Sequence, residues 1–220
     1  MWIAHRGASA QAPQNTLKAF KLAERLGADA IEMDVQVTRE GVPVVFHDQL
    51  LRRLTHVPGR LTAHTLAELK KIKMQGEAIP TLKAALEATQ KPVFLEVKDP
   101  HGIEQMLGEA APHKKRVTVI SFYPRVLAKA KQHGFKTGLL SLTGVLGAGL
   151  AAKLKTDYLL VHSGFARKGL MRTTQARGAK LLAWGIRTPE HGRKLLETGV
   201  HGVVADFPIH SQTQQRRKVA

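Results

Sequence analysis

Short runs rich in β-branched and aliphatic residues alternate with amphipathic helical segments almost to the end of this 220-residue chain. That alternation is the pattern of repeated βα units around a parallel sheet. Strands are predicted near Trp2–His5, Ala30–Val37, Val93–Lys98, Val117–Ser121, Thr137–Ser141, Tyr158–His162, Leu181–Trp184 and Gly202–Ala205, with an additional short strand at Val42–Phe46. The first helix is expected at about Thr16 to Leu26, with Leu17, Phe20 and Ala23 on one face, Asn15 as its cap and Gly27 at its end. Later helices near Pro124–His133, Arg167–Arg177 and Pro189–Thr198 stop at Gly134, Gly178 and Gly199. Eight such units predict an α/β fold, a (β/α)8 barrel of the TIM type, with function at the C-terminal ends of its strands. An open doubly wound sheet is the other way to wind them, and no glycine-rich nucleotide fingerprint supports it.

The stretch from Asp48 to Pro92 breaks the alternation and is expected as a small insertion after the second strand. Helical segments are predicted there at about Leu66–Lys73 and Leu82–Ala88, with a turn at Ile79-Pro80-Thr81. It either borders the mouth of the barrel or is an enlarged connection without substrate contact. One barrel domain is expected over residues 1–210, followed by a basic polar tail at 211–220.

No cysteine is present, so any metal must be held by oxygen or imidazole, and disulfides are excluded. His5-Arg6 interrupts the N-terminal stretch where a signal peptide would be apolar, and the apolar segment Gly138–Ala152 falls short of a spanning helix. A soluble, cytoplasmic protein is expected. The net charge of +17 is uneven: residues 1–109 hold 14 Lys/Arg against 13 Asp/Glu, whereas residues 110–220 hold 20 against four. Such a field either draws in phosphates, an anionic membrane or nucleic acid, or serves as a solubilising surface. Specific nucleic-acid recognition has little support, because only two Trp and two Tyr are available and no binding motif occurs.

Period-two alternation places Glu32 and Asp34 on one face of the second strand, with Ile31, Met33 and Val35 on the other. Glu96 and Lys98 share one face of the next core strand. Both faces of a barrel strand are covered, so acids there need a cation or hydrogen-bond partners. Three carboxylates suit one hard divalent cation, Mg²⁺ or Ca²⁺; an internal Glu96–Lys98 ion pair is the compatible alternative. His5 ends the first strand and His47 follows Val44-Val45-Phe46, so two imidazoles can divide proton acceptance and donation. Arg6 would add fixed charge for phosphate oxygens, provided the backbone turns after His5, as Gly7 permits.

Taken in order, His5-Arg6-Gly7, Pro13 to Thr16, Glu32-x-Asp34, His47-Asp48, Ile79-Pro80-Thr81-Leu82, Glu96-x-Lys98, Ser121-Phe122, Trp184 and Gly202 to Pro208 span nearly the whole chain. In that order and spacing the chain resembles the glycerophosphodiester phosphodiesterase family. The resemblance implies a (β/α)8 barrel that hydrolyses a small-molecule glycerophosphodiester to glycerol 3-phosphate and an alcohol. It implies metal ligands at Glu32, Asp34 and Glu96, catalytic histidines at His5 and His47, and phosphate or substrate contacts at Arg6, Lys98 and Trp184. In the family's mechanism a glycerol hydroxyl attacks phosphorus and water opens the resulting cyclic phosphate, for which His5 is expected as the first base and His47 as the first acid. Two departures stand out: the family's Pro-Glu-Asn is Pro13-Gln14-Asn15 here, and Trp-Thr-Val-Asn is Trp184-Gly185-Ile186-Arg187.

Two alternatives compete with this reading. A lysophospholipase D acting on membrane-derived lipids would carry an exposed apolar patch beside the mouth and use the basic half for recruitment to an anionic membrane. A catalytically lapsed phosphate-binding barrel is suggested by Gln14 and the positive charge, against the intact histidines and acids.

Overall fold

A computed structural model of the chain, whose described residues are 1–209, closes eight parallel strands into a barrel with helices between them. The order begins β1 (Trp2–Ala4), α1 (Leu17–Arg25), β2 (Ala30–Val37) and β3 (Pro43–Val45). The inserted stretch carries α2 (Arg52–Thr55), α3 (Leu66–Leu69), β4 (Lys73–Met74) and β5 (Glu77–Ala78). Alternation resumes with α4 (Leu82–Glu87), β6 (Val93–Val97), α5 (Ile103–Ala110), β7 (Val117–Ser121), α6 (Pro124–Gln132) and β8 (Lys136–Ser141). It ends with α7 (Val145–Leu154), β9 (Tyr158–His162), α8 (Lys168–Ala176), β10 (Lys180–Trp184), α9 (Pro189–Glu197) and β11 (Gly202–Ala205). The expected tail at 211–220 lies outside the described residues, and no helix among those residues is long and apolar enough to cross a membrane.

Parallel pairing runs β1–β2–β6–β7–β8–β9–β10–β11 and back to β1, while β3 adds to β2 antiparallel. Period-two alternation splits the apolar residues into two layers. Ile3, Phe94, Ile120, Leu140, Leu160, Leu182 and Val204 fill the barrel interior. Ile31, Met33, Val35, Leu95 and Val97 face outward under the helices. Truncating the interior Phe94, which also meets Tyr158 edge to face at 5.2 Å, would cost about 3–5 kcal/mol.

The insertion after the second strand has a small core of its own, in which Val44, Phe46, Leu51, Leu54, Leu61, Leu69 and Met74 pack together. Two local expectations need correction. The helix predicted over Leu66–Lys73 stops at Leu69, and Lys73 opens a hairpin instead, because Gln75 and Gly76 both take positive φ (50° and 87°) and turn the chain back. The cap of α1 is Thr16, whose Oγ1 accepts from the Ala19 amide at 3.2 Å; Asn15 sits one residue earlier at φ 57° with its side chain committed elsewhere.

Candidate active site

The β2–β6 register sets Asp34 beside Glu96, and period two brings Glu32 onto the same inward row. The structure brings Glu32, Asp34 and Glu96 together, one ligand oxygen from each lying within 4.8 Å of the others. Burial is deep: Glu32 is 2% and Asp34 0% exposed. Lys98 reaches Glu96 Oε1 at 2.7 Å and Asp34 Oδ1 at 3.0 Å, so the expected ion pair exists within the cluster. Arg6 Nε lies 3.1 Å from Asp34 Oδ2. Both contacts to Asp34 are ion pairs by distance without hydrogen-bond alignment, and Glu32 Oε1 has no hydrogen-bond partner.

Buried carboxylates this close cannot all ionise at ordinary cost. Burial and the charge of Asp34 push Glu32 up to about 8. Burial also works against Asp34, but the charges of Lys98 and Arg6 outweigh it and hold that carboxyl down to about 2. Glu96 is raised by burial and by Asp34. Two cationic side chains thus leave the three acids incompletely compensated, with unpartnered oxygen on Glu32. That donor set fits a hard divalent ion.

The backbone turns after β1 as the strand geometry required. Arg6 and Gly7 both take positive φ (55° and 80°), and a Cβ on Gly7 would come within 2.7 Å of Ala19 in α1. The turn lets His5 face the mouth while the Arg6 amide donates to Glu32 Oε2 at 2.8 Å. Arg6 Nη1 donates to Gln14 Oε1 at 2.5 Å, so Gln14 touches Arg6 rather than the acids. Asn15 Nδ2 donates to Asp34 Oδ2 at 2.8 Å, which is why its side chain does not cap α1.

Each histidine is held at Nδ1 by its own carboxylate. His5 Nδ1 meets Asp206 Oδ1 at 2.7 Å, a contact set by the β1–β11 register that aligns Ala4 with Ala205. His47 Nδ1 meets Asp48 Oδ1 at 2.6 Å, and Arg53 from α2 grips Asp48 through Nε at 2.5 Å and Nη2 at 2.9 Å. The loop carrying His47 is pinned by buried Gln36, whose Nε2 donates to the carbonyls of Phe46 (2.9 Å) and Asp48 (2.8 Å). Gln36, Arg53 and the pairing of Asp206 with His5 are not announced by any motif in the sequence. Gln36 had one usable signal, since it continues the inward row of Glu32 and Asp34.

The two imidazoles are tuned in opposite directions. Burial would lower His5, but the Asp206 hydrogen bond and the charge of Glu32 prevail and raise it. His47 is lowered, chiefly by burial with the charge of Lys98 adding, against the pull of Asp34 and Asp48.

A cavity of about 380 Å³ opens over this cluster. His5, Arg6, Glu32, His47, Glu96 and Lys98 make one polar wall; Ile120, Phe122, Leu140, Leu160, Trp184 and Ile186 make an apolar one. Trp184 Nε1 is buried without a hydrogen-bond partner, and its ring meets His162 edge to face at 4.9 Å. Arg187 is exposed and outside the cavity lining.

Comparison with known proteins agrees with this geometry. The model of the glycerophosphoryl diester phosphodiesterase family matches residues 5–210. By sequence the chain is similar to a glycerophosphodiester phosphodiesterase of Caldanaerobacter subterraneus, 34% identical over an alignment 228 positions long that covers 94% of this chain and 93% of that protein. By structure it is similar to an Oleispira antarctica phosphodiesterase in complex with the product sn-glycerol-3-phosphate, with a TM-score of 0.87 and 29% identity over 100% of this chain and 97% of that one. A Thermotoga maritima glycerophosphodiester phosphodiesterase aligns with a TM-score of 0.84 and 27% identity, again over 100% and 97% of the two chains.

Proposed function

The chain belongs to the glycerophosphoryl diester phosphodiesterase family, and on that premise we propose that it hydrolyses glycerophosphodiesters to glycerol 3-phosphate and an alcohol, using one divalent cation and the paired imidazoles of His5 and His47. The observation that carries this reading is the convergence of Glu32, Asp34 and Glu96 between two histidines that each have a carboxylate at Nδ1.

Glu32, Asp34 and Glu96 would hold Mg²⁺ or Ca²⁺, which when bound offsets phosphate charge and makes phosphorus more electrophilic. Lys98 and Arg6 add fixed positive charge beside the phosphate. The two pKa directions support exchanging the histidine roles expected from the family resemblance. His47, kept neutral, accepts the proton of the attacking glycerol hydroxyl as its oxygen bonds to phosphorus. His5, whose protonated form Asp206 favours, donates to the departing alcohol oxygen as the other P–O bond breaks. Water then opens the cyclic phosphate with the roles reversed, His5 accepting its proton and His47 returning one to the ring oxygen, which restores both groups. The apolar wall with Trp184 would take the glycerol carbons or the leaving alcohol.

The test is release of glycerol 3-phosphate from a panel of water-soluble glycerophosphodiesters with defined Mg²⁺ or Ca²⁺. Release is expected to stop with a chelator and to fall at least about a hundredfold in His5→Ala and His47→Ala. Full turnover after thorough metal removal, or in either variant, would overturn the reading. Binding without turnover in the parent would favour the lapsed barrel.

A further inference from the structure

Six large apolar side chains stand out from the segments that follow β7, β8 and β9, loops and the first turn of α7 together. They are Phe122 and Tyr123 (42% and 43% exposed), Leu142, Val145 and Leu146 (65%, 74% and 77%), and Phe165 (45%). These strands are neighbours in the barrel, and loops at their C-terminal ends share the face that carries the active site. The loops after β8 and β9 touch, since a Cβ on Gly144 would lie 3.6 Å from Phe165 Cβ. Phe122 belongs both to this rim and to the apolar wall of the cavity. The rim therefore continues the cavity outward.

We propose that this rim is a docking surface for an anionic lipid bilayer and seats the mouth of the barrel against the membrane. Clustered exposed apolar side chains mark an interaction site, and the charge around these says which kind. Arg125, Arg167 and Lys168 stand exposed at the starts of the helices that follow β7 and β9, and Arg187 in the loop after β10, while no Asp or Glu occurs at 110–156 or 158–189. The Arg125 guanidinium lies 5.9 Å from the Tyr123 ring centroid, cation and apolar tip side by side. Apolar tips that enter the acyl boundary, flanked by cations at headgroup level, match an anionic lipid surface. A second copy of this chain is a poor occupant, because it would bring two acid-free cationic rims together. With no spanning helix among the described residues, the contact is peripheral. Docking stands on the rim alone; delivery of lipid-borne diesters to the cavity rests on the proposed reaction.

The test is flotation of the full chain with vesicles of phosphatidylcholine mixed with phosphatidylglycerol, and of phosphatidylcholine alone, at low and high salt. Partition onto the mixed vesicles is expected to exceed that onto neutral ones by at least about tenfold and to weaken with salt. The double variant Leu142→Ser/Leu146→Ser should partition about tenfold more weakly while keeping the parent's circular dichroism and its turnover of a water-soluble diester. Phe165→Ser reads the same surface from the neighbouring loop should the double variant fail to fold. No binding to either vesicle, undiminished binding by the folded variants, or a dimer by light scattering that these substitutions dissolve would overturn the proposal. Flotation reads docking without catalysis, so a parent that binds vesicles but turns over no diester sinks the proposed reaction and leaves the docking surface standing.

Discussion

His5 and Asp206 lie 201 positions apart in the chain and meet at 2.7 Å through Nδ1 and Oδ1, across the seam where β11 closes the barrel onto β1. The carboxylate fixes the ring and favours its protonated form. A His5 that acts as the first acid must be protonated, so activity falls as pH rises through its pKa. Asp206→Asn is expected to move that alkaline limb to lower pH and to reduce kcat about ten- to a hundredfold. Measured kcat against pH decides it, and an unmoved alkaline limb would remove His5 from the acid role.

Arg53 reaches the chemistry through two others, holding Asp48, which holds His47. On the proposed reaction, this makes the insertion part of the catalytic apparatus without requiring it to touch substrate. Arg53→Ala is expected to lower kcat about three- to tenfold with KM within about twofold, and Arg53→Lys to recover part of the loss, because a lysine supplies the charge without the two-pronged grip. A large change in KM with kcat intact would instead mark Arg53 as a substrate contact.

The cluster acids were legible in the sequence because period-two alternation and parallel strands leave little freedom: Glu32, Asp34, Glu96 and Lys98 had to face inward near one level. Partners across the closure were not. That Asp206 faces His5 depends on the β1–β11 register, and register follows from how all eight strands tilt and close. Arg53 was hidden for a similar reason, since a four-residue helix carries too little periodicity to announce itself. The hairpin after α3 was missed because Lys70, Lys71 and Ile72 are all compatible with helix, and only the positive φ of Gln75 and Gly76 decides against it.

Glu32 carries the clearest signature of an uncompensated site. Burial and the charge of Asp34 push its pKa from the ordinary 4.5 up to about 8, so between those pH values the folded chain holds a proton that the unfolded chain has released. Stability of the metal-free protein therefore falls as pH rises through that window, by on the order of 2–4 kcal/mol. Glu96 and His5, raised as well, act in the same sense, while His47, lowered from 6.5, opposes them only below that pH. Asp34, depressed to about 2, adds stability above its unfolded value that is lost only as pH falls through the folded one, outside this window. Metal-stripped protein should melt several degrees lower at about pH 8 than at about pH 6. Glu32→Gln should flatten that slope and raise the Tm at the higher pH while turnover is lost. A saturating divalent cation should stabilise more at the higher pH, where it no longer competes with the proton. Thermal melts of parent and variant at both pH values, with and without cation, supply the check, and a metal-free Tm independent of pH would contradict it.

Gln14 stands where the family resemblance implies an acid, and its Oε1 accepts from Arg6 Nη1 at 2.5 Å while Arg6 Nε lies 3.1 Å from Asp34 Oδ2. The side chain therefore steadies Arg6, and an amide oxygen does that as a carboxylate would, without drawing the guanidinium charge away from Asp34. Gln14→Ala removes the acceptor and is expected to raise KM about tenfold, because Arg6 no longer holds one position beside the phosphate. Gln14→Glu keeps the acceptor, and its added charge is screened by Arg6, so divalent affinity should change by less than about fivefold. Titration of metal-stripped protein by calorimetry, alongside steady-state kinetics, separates the two effects. A Gln14→Glu protein that binds the cation tenfold or more tightly would mean that position 14 reaches the ion itself, and the positioning role would have to be abandoned.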